Sequence, residues 1–324
     1  MQMRDDLGIT TKLENGKAYL EFALPEKIGR LLSALQIEIW EGAEGKRLVF
    51  HGEYSSEEAD SMTALLLRPH LWDGMRDPYV YLVKAQGRFR SVEYGEKMGG
   101  MEKEEKLDPA EDITGEVEMY WRQELTIYDV RVVEKKGILL NEKEFLPHEV
   151  VYRLPPQISD AGTRVEQVRR DLERLVQMGV NVIRLEGTGT GAEGVNCSEV
   201  RTFYSLCRKR GFLTGDLWIR PENLPVYRGL PGETTCQALL AADGRTLTER
   251  YYYYQAKWSS EPVLYPVLST LHRQENGLLS LTIYSNQKKV VLYVDGVLFL
   301  FQTATSGDPE FIFEDIPVAK LPLH

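Results

Sequence analysis

Residues 163–185 read Thr163-Arg164-Val165-Glu166-Gln167-Val168-Arg169-Arg170-Asp171-Leu172-Glu173-Arg174-Leu175-Val176-Gln177-Met178-Gly179-Val180-Asn181-Val182-Ile183-Arg184-Leu185, and a change of period inside this stretch decides the fold class. Val165, Val168, Leu172, Leu175 and Val176 recur at the spacing that puts apolar side chains on one helical face. Thr163 followed by Glu166 predicts a capping box at the start, and Gly179 predicts a stop. The run Val180 to Leu185 is short, apolar and β-branched, which suits a strand buried in a parallel sheet. Ser198 is then expected to cap a second helix carrying Val200, Phe203, Tyr204, Leu206 and Cys207, which ends at Gly211 before the strand-like Phe212-Leu213-Thr214. The pattern is βαβαβ.

On either side the grammar changes to period two. Up to about residue 135, short runs such as Ala18-Tyr19-Leu20-Glu21-Phe22 and Leu35-Gln36-Ile37-Glu38-Ile39-Trp40 alternate apolar and polar positions, with a turn signal at Asn15-Gly16. These are strands of an antiparallel sandwich. Residues 95–116 break the alternation with Gly99-Gly100 and a run of charges, and are expected to form a long exposed loop. Strands return after residue 262, where Asp295-Gly296 separates two β-rich runs and predicts a hairpin. The segment Tyr251-Tyr252-Tyr253-Tyr254 favours a strand by local propensity, whereas the Gln255-Ala256-Lys257 that follows favours a helix.

The chain has 324 residues, enough for about two domains or three small ones. With 43% hydrophobic and 27% charged residues, its composition is that of a globular protein. Thirty-nine Lys and Arg against 49 Asp and Glu give a net charge of −10, so nucleic acid is not an expected partner. No apolar run approaches the 18 or so residues that span a bilayer, and no membrane partner is expected. Met1-Gln2-Met3-Arg4-Asp5-Asp6 has no apolar leader core, which makes the cytoplasm the expected location. Cys197, Cys207 and Cys236 form no Cys-x-x-Cys pair, and the five histidines are scattered, so neither a metal site nor a cofactor is implied.

Several segments, taken in order, resemble glycoside hydrolase family 2, the β-galactosidase and β-glucuronidase group. Leu71-Trp72 with Asp77-Pro78-Tyr79-Val80-Tyr81 is similar to a segment of that family's immunoglobulin-like sandwich. Leu139-Leu140-Asn141-Glu142-Lys143 looks like its hairpin entering the (β/α)₈ barrel, and Met178-Gly179-Val180-Asn181-Val182-Ile183-Arg184 like its second barrel strand. Phe203-Tyr204-Ser205-Leu206-Cys207 with Gly211-Phe212 resembles the next helix and strand. Tyr252 to Trp258 with Pro262-Val263, then Tyr284-Ser285-Asn286 and Leu292-Tyr293-Val294-Asp295-Gly296, resemble the last barrel helix and a following sandwich. On this resemblance Tyr251 to Trp258 is a helix. The fold implied is mixed β and α/β: an immunoglobulin-like β-sandwich over 1–136, a truncated (β/α) barrel-like segment of about three parallel strands over 137–258, and a second immunoglobulin-like β-sandwich over 259–324.

The same resemblance implies what is missing. A full barrel takes about 200 residues or more, and 138–258 cannot hold it. The family's acid/base and nucleophile carboxylates lie on later barrel strands that fall in the missing part, so no catalytic residue is assigned. Asn141-Glu142 reproduces the family's Asn-Glu pair only in the hairpin. The candidate ligand-binding residues are Arg184, Glu186, Asp216 and Trp218. Three are charged groups expected at the ends of neighbouring parallel strands, where such folds place ligands, and one is an aromatic face suited to a sugar ring. The competing reading is an internal ion pair in which Arg184 is satisfied by Asp216 or Glu186. Gly187 to Gly194 is not followed by Gly-Lys-Ser/Thr and has no correctly spaced Gly-x-Gly-x-x-Gly before the helix, so it reads as a flexible strand-to-helix loop. The expected function is a non-catalytic relative of family 2 glycosidases. A carbohydrate-binding module and a glycosidase with a rebuilt carboxylate pair stand as alternatives. A homo-oligomer or a partner subunit is expected to cover the incomplete barrel, because an open parallel sheet needs cover.

Overall fold

A computed structural model describes residues 7–92, 113–155, 161–186, 197–215, 224–229 and 238–317. The chain divides into two compact units, Met1–Phe145 and Leu146–His324. The hairpin Leu139 to Lys143 therefore belongs to the first unit.

The first unit contains β1 (Gly8–Glu14), β2 (Lys17–Ala23), the single turn α1 (Glu26–Gly29), β3 (Leu32–Glu41), β4 (Arg47–Ser55), β5 (Thr63–Leu67), β6 (Tyr81–Val92) and β7 (Ile113–Leu125), followed by β8 (Val130–Val133), β9 (Gly137–Leu140) and β10 (Lys143–Glu144). Two antiparallel sheets, ordered β1-β2-β5 and β4-β3-β6-β7, share one core. Period two decides which residues enter it: Ala18, Leu20 and Phe22 from β2 face Leu35, Ile37 and Ile39 from β3 and Val83, Ala85 and Phe89 from β6. Asn15 and Gly16 both adopt positive φ, 51° and 71°, as a two-residue hairpin turn requires. The loop expected over 95–116 falls mostly outside the described residues, and β7 is already extended from Ile113.

Asn141 and Glu142 turn the β9–β10 hairpin with positive φ. The Asn141 side chain holds the hairpin in place, donating to the Trp72 carbonyl at 2.9 Å and accepting from the Asp129 N–H at 3.0 Å. The Asn-Glu pair is thus a structural turn.

The second unit opens with β11 (Glu149–Tyr152), α2 (Ala161–Met178), β12 (Val182–Leu185), α3 (Cys197–Arg210), β13 (Leu213–Thr214), β14 (Val226–Arg228), β15 (Ala238–Leu240) and α4 (Glu249–Trp258). All five strands are parallel, in the order β13-β12-β11-β14-β15. The sequence reading expected about three. β14 and β15 escaped it because three residues are too few to show a period. Residues of α2, α3 and α4 share one core with Val150, Tyr152, Ile183, Tyr227 and Leu239 of the sheet. Among the described residues the sheet has two edges, β13 and β15, and does not close.

Two helix starts differ from expectation. Thr163 lies inside α2 and Ser198 inside α3, so neither is a cap. Both stops hold: Gly179 and Gly211 take φ of 88° and 84°, the left-handed conformation that ends a helix. α4 is a helix against the strand propensity of its four tyrosines. Tyr251 is buried, Tyr252 stacks on Tyr265 at 3.8 Å, and Tyr253 meets Tyr284 edge-on at 5.4 Å. Tertiary packing overrides local preference here.

The chain continues through β16 (Leu264–Arg273), β17 (Leu279–Ser285), β18 (Lys289–Val294), β19 (Val297–Thr303) and β20 (Glu310–Ile316). They form a three-stranded sheet, β16-β17-β20, and a two-stranded one, β18-β19, around Ile283, Val290, Phe311, Phe313 and Ile316. The Asp295-Gly296 turn joins β18 to β19 as expected.

Candidate functional site

In an open parallel sheet, the loops leaving the carboxyl ends of the strands are where ligands bind. At that end of β11 and β12 stand Arg153 and Glu186, joined by an Nε-to-Oε2 hydrogen bond of 2.6 Å; the Glu186 side chain is half exposed. Arg153 also donates to the Arg228 carbonyl at the end of β14, at 3.2 Å. One guanidinium thus spans three neighbouring strand ends.

Arg184 does not join this group. Val150, Tyr152 and Ile183 face the helices, so the alternate residues Glu149, Val151, Val182 and Arg184 face the other side of the sheet. There Arg184 donates through Nε to Glu149 at 2.9 Å, with Glu149 fully buried. Arg184 thus takes part in an ion pair with Glu149, and the expected pairing with Asp216 lies outside the described residues. Glu149 was overlooked because it opens a strand and lies 35 residues away, where no spacing rule reaches. Asp216, Trp218 and the glycine-rich loop 187–194 lie outside the described residues.

A densely bonded polar group of the described residues is one that no sequence signal had singled out. Asp171 sits on the buried side of α2 and is inaccessible to solvent. Its carboxylate accepts from the Tyr152 hydroxyl at 2.9 Å, the Tyr227 hydroxyl at 3.0 Å, Gln167 Nε2 at 2.9 Å and Arg228 Nη2 at 3.0 Å. Burial, followed by the charge on Asp171, pushes the Tyr152 and Tyr227 hydroxyls well above the ordinary phenol range, so both remain donors. A buried carboxylate surrounded by four donors holds the sheet to the helix. It has no free lone pair aimed at solvent and is not placed to attack a substrate.

His148 precedes β11. Its ring stacks on Trp258 at 5.2 Å, and Nδ1 lies 2.8 Å from the Gly179 carbonyl. Burial lowers its pKa below 6.5, outweighing the opposing hydrogen bond to Gly179. The unfolded chain therefore takes up this proton at a higher pH than the folded one. The stability held by the neutral ring is complete above about pH 7 and declines as pH falls through 6.5. Urea midpoints measured at pH 7.5 and 5.5 are expected to differ less in His148→Gln than in the parent chain.

Among the described residues no group of three or more His, Cys, Asp or Glu could hold a metal ion. No described helix is long and apolar enough to cross a membrane. Cys207 is fully buried in the α3 face, where burial raises its thiol pKa, which fits a packing role.

No protein-family model matches the chain, and no curated protein matches it. Among solved structures it is similar to β-glucuronidase from Ruminococcus gnavus. Against the complex with D-glucaro 1,5-lactone the identity is 19% and the TM-score 0.42, covering 65% of this chain and 29% of that one. Against the apo structure the identity is again 19% and the TM-score 0.41, covering 64% and 29%. The chain spans less than a third of the length of these structures.

Proposed function

We propose that this chain is a glycoside hydrolase family 2-like protein that has lost its hydrolytic centre and serves a non-catalytic role, carbohydrate-related or in assembly. In this reading β1 to β7 form the family's immunoglobulin-like sandwich, the five parallel strands are the remnant of its barrel, and β16 to β20 form a second immunoglobulin-like sandwich. The domain limits by this relationship are 1–136, 137–258 and 259–324, with the β9–β10 hairpin leading by sequence into the barrel remnant while it groups with the first compact unit. The ordered series of family-like segments from Leu71 to Gly296 supports the relationship.

The observation that carries the loss of catalysis is the Arg153–Glu186 pair. Hydrolysis with retention needs two carboxylates about 5–5.5 Å apart, one of them able to hold a proton. The Glu186 carboxylate is instead engaged at 2.6 Å by the Arg153 guanidinium. The next described carboxylate beyond a strand end, Asp243, accepts from the Thr246 hydroxyl and from the Thr246 and Arg245 N–H groups of its own turn, which lower its pKa to about 2. Asp243 is thus not suited to act as a general acid, and Glu186 is taken up by its pair with Arg153.

The test is hydrolysis of a panel of chromogenic α- and β-glycosides by concentrated, folded protein, repeated with Glu186→Gln and Asp216→Asn. No release above the blank is expected from any of the three. Turnover in the parent chain that either substitution abolishes would show a rebuilt active site and overturn the reading.

A further inference from the structure

In the first unit the consecutive strands β4 and β5 belong to different sheets, and each is an edge: among the described residues β4 pairs with β3 alone and β5 with β2 alone. At one end they are pinned together, the Tyr54 hydroxyl donating to the Thr63 carbonyl at 2.5 Å. Toward Arg47 and Leu67 no ladder joins them, and a cleft of about 400 Å³ opens between the two edges. Two backbone features shape it. The register of β4 against β3 slips at Val49, whose neighbours Leu48 and Phe50 face consecutive residues of β3, so Val49 forms a bulge that bends the strand. Just past β5, Arg68 takes φ of 52°, with its N–H bonded to the Gly16 carbonyl at 3.1 Å. Positive φ at a residue other than glycine is uncommon and clusters where a side chain is held for a ligand.

Donors dominate the polar lining. Tyr81 of β6 reaches the cleft wall although it is only 3% exposed. Its hydroxyl oxygen accepts the His70 N–H at 2.7 Å, while its own proton meets no acceptor among the described residues. Burial raises the pKa of this phenol, so the proton stays in place, and a buried donor left unmet is costly. Arg68 makes no side-chain hydrogen bond or ion pair among the described residues. Glu41 is the one carboxylate of the described lining, and it is already engaged, accepting from Nε and Nη2 of Arg47 at 2.9 and 2.5 Å. Two arginines against one glutamate leave the cleft one positive charge in excess. Between these polar groups the walls are apolar: Leu48, Val49, Leu66 and Pro69.

We propose that this cleft binds a small organic acid, a carboxylate on an apolar body, with the carboxylate taken by the Arg68 guanidinium and the Tyr81 hydroxyl and the body laid against Leu48, Val49, Leu66 and Pro69. The volume is within the range of small-molecule sites, and a few polar groups set in apolar walls are what such sites use to orient a ligand. A carboxylate is acceptor-only and matches the fork of a guanidinium, so it satisfies both free donors at once. A cation would meet the excess positive charge. A neutral polyol would bring further donors to a lining whose one carboxylate is already occupied. In a chain of net charge −10, an unpaired arginine beside an apolar cleft also supplies the local field that draws an anion in. The site lies in the first unit, and the inference does not depend on the functional reading above.

Calorimetric titration of the full chain with cyclohexanecarboxylate is expected to show saturable binding. Cyclohexylmethanol keeps the ring without the charge and inorganic phosphate keeps charge without the ring, so each should bind at least about tenfold more weakly. Arg68→Gln changes an exposed side chain that bonds nothing described, so it is expected to fold as the parent does. It should bind the acid about tenfold more weakly and leave the affinity for the alcohol unchanged. Tyr81→Phe removes the buried proton and should weaken the acid in the same direction. Nuclear magnetic resonance on the parent chain locates the site without a variant: the Leu65 to Arg68 amides should shift as the acid is added. Absence of saturable binding by the parent up to low-millimolar acid, an alcohol or phosphate affinity equal to that of the acid, or an acid affinity indifferent to Arg68→Gln would each overturn the proposal.

Discussion

Asp171→Ala is expected to lower the stability of the second unit by about 3–5 kcal/mol, the range for removing one partner from a buried charged pair. The loss is larger than that of a typical core substitution because one carboxylate serves four donors. Without it, the buried Tyr152 and Tyr227 hydroxyls and the mostly buried Arg228 guanidinium lose their shared acceptor, and each unmet buried donor carries its own desolvation cost. Asp171→Asn keeps an acceptor oxygen but loses the charge opposite Arg228, so it should fall between the parent and the alanine variant. Urea unfolding followed by circular dichroism measures the order of the three. An alanine variant within about 1 kcal/mol of the parent would mean that the network is dispensable.

Gly179→Ala is expected to be comparably damaging, by about 2–6 kcal/mol, for reasons that add. The residue has φ of 88°, where a non-glycine side chain costs roughly 1–3 kcal/mol. A Cβ placed there would stand 2.4 Å from the Trp258 carbonyl oxygen and 2.8 Å from the Ser259 nitrogen. Those are backbone atoms at the end of α4 and cannot rotate away, so the helix end must move. Overpacking of this kind typically costs a further 1–3 kcal/mol or so. Gly137→Ala is the matched control, since Gly137 has φ of 78° with nothing within 4 Å of the added carbon. It should show the conformational cost alone, and the difference between the two melts isolates the clash.

What the sequence made legible follows from which signals are local. The period of α2, its stop at Gly179, the β-branched strand β12 and the turns at Asn15-Gly16 and Asp295-Gly296 each depend on residues within one or two turns of chain, and all are in place. The helix α4 was reached by resemblance alone, because its tyrosines owe their conformation to Tyr265 and Tyr284 on later strands. The site was less legible. Glu149, Asp171 and Arg153 each bond partners distant in sequence, Arg184, Arg228 and Glu186, which lie 35, 57 and 33 residues away. Asp171 did leave a local trace: a charged residue at i+3 from Val168 and i−4 from Leu175 stands on the apolar stripe of its helix, and a carboxylate there needs buried donors.

The order in which partners leave the ribosome gives the parallel sheet a timetable. β11 is its central strand, yet its second neighbour, β14, is made some 75 residues later, and the Tyr251 hydroxyl that bonds the Arg174 carbonyl comes later still. A nascent chain that has emerged only as far as β13 holds two βαβ crossovers with one flank of the central strand unpaired and the α4 position over Gly179 vacant. Completion of the α/β core is therefore a late, long-range event, the kind that slows folding and lengthens exposure to aggregation. A stall between residues 215 and 250 would leave the sheet in its stickiest form.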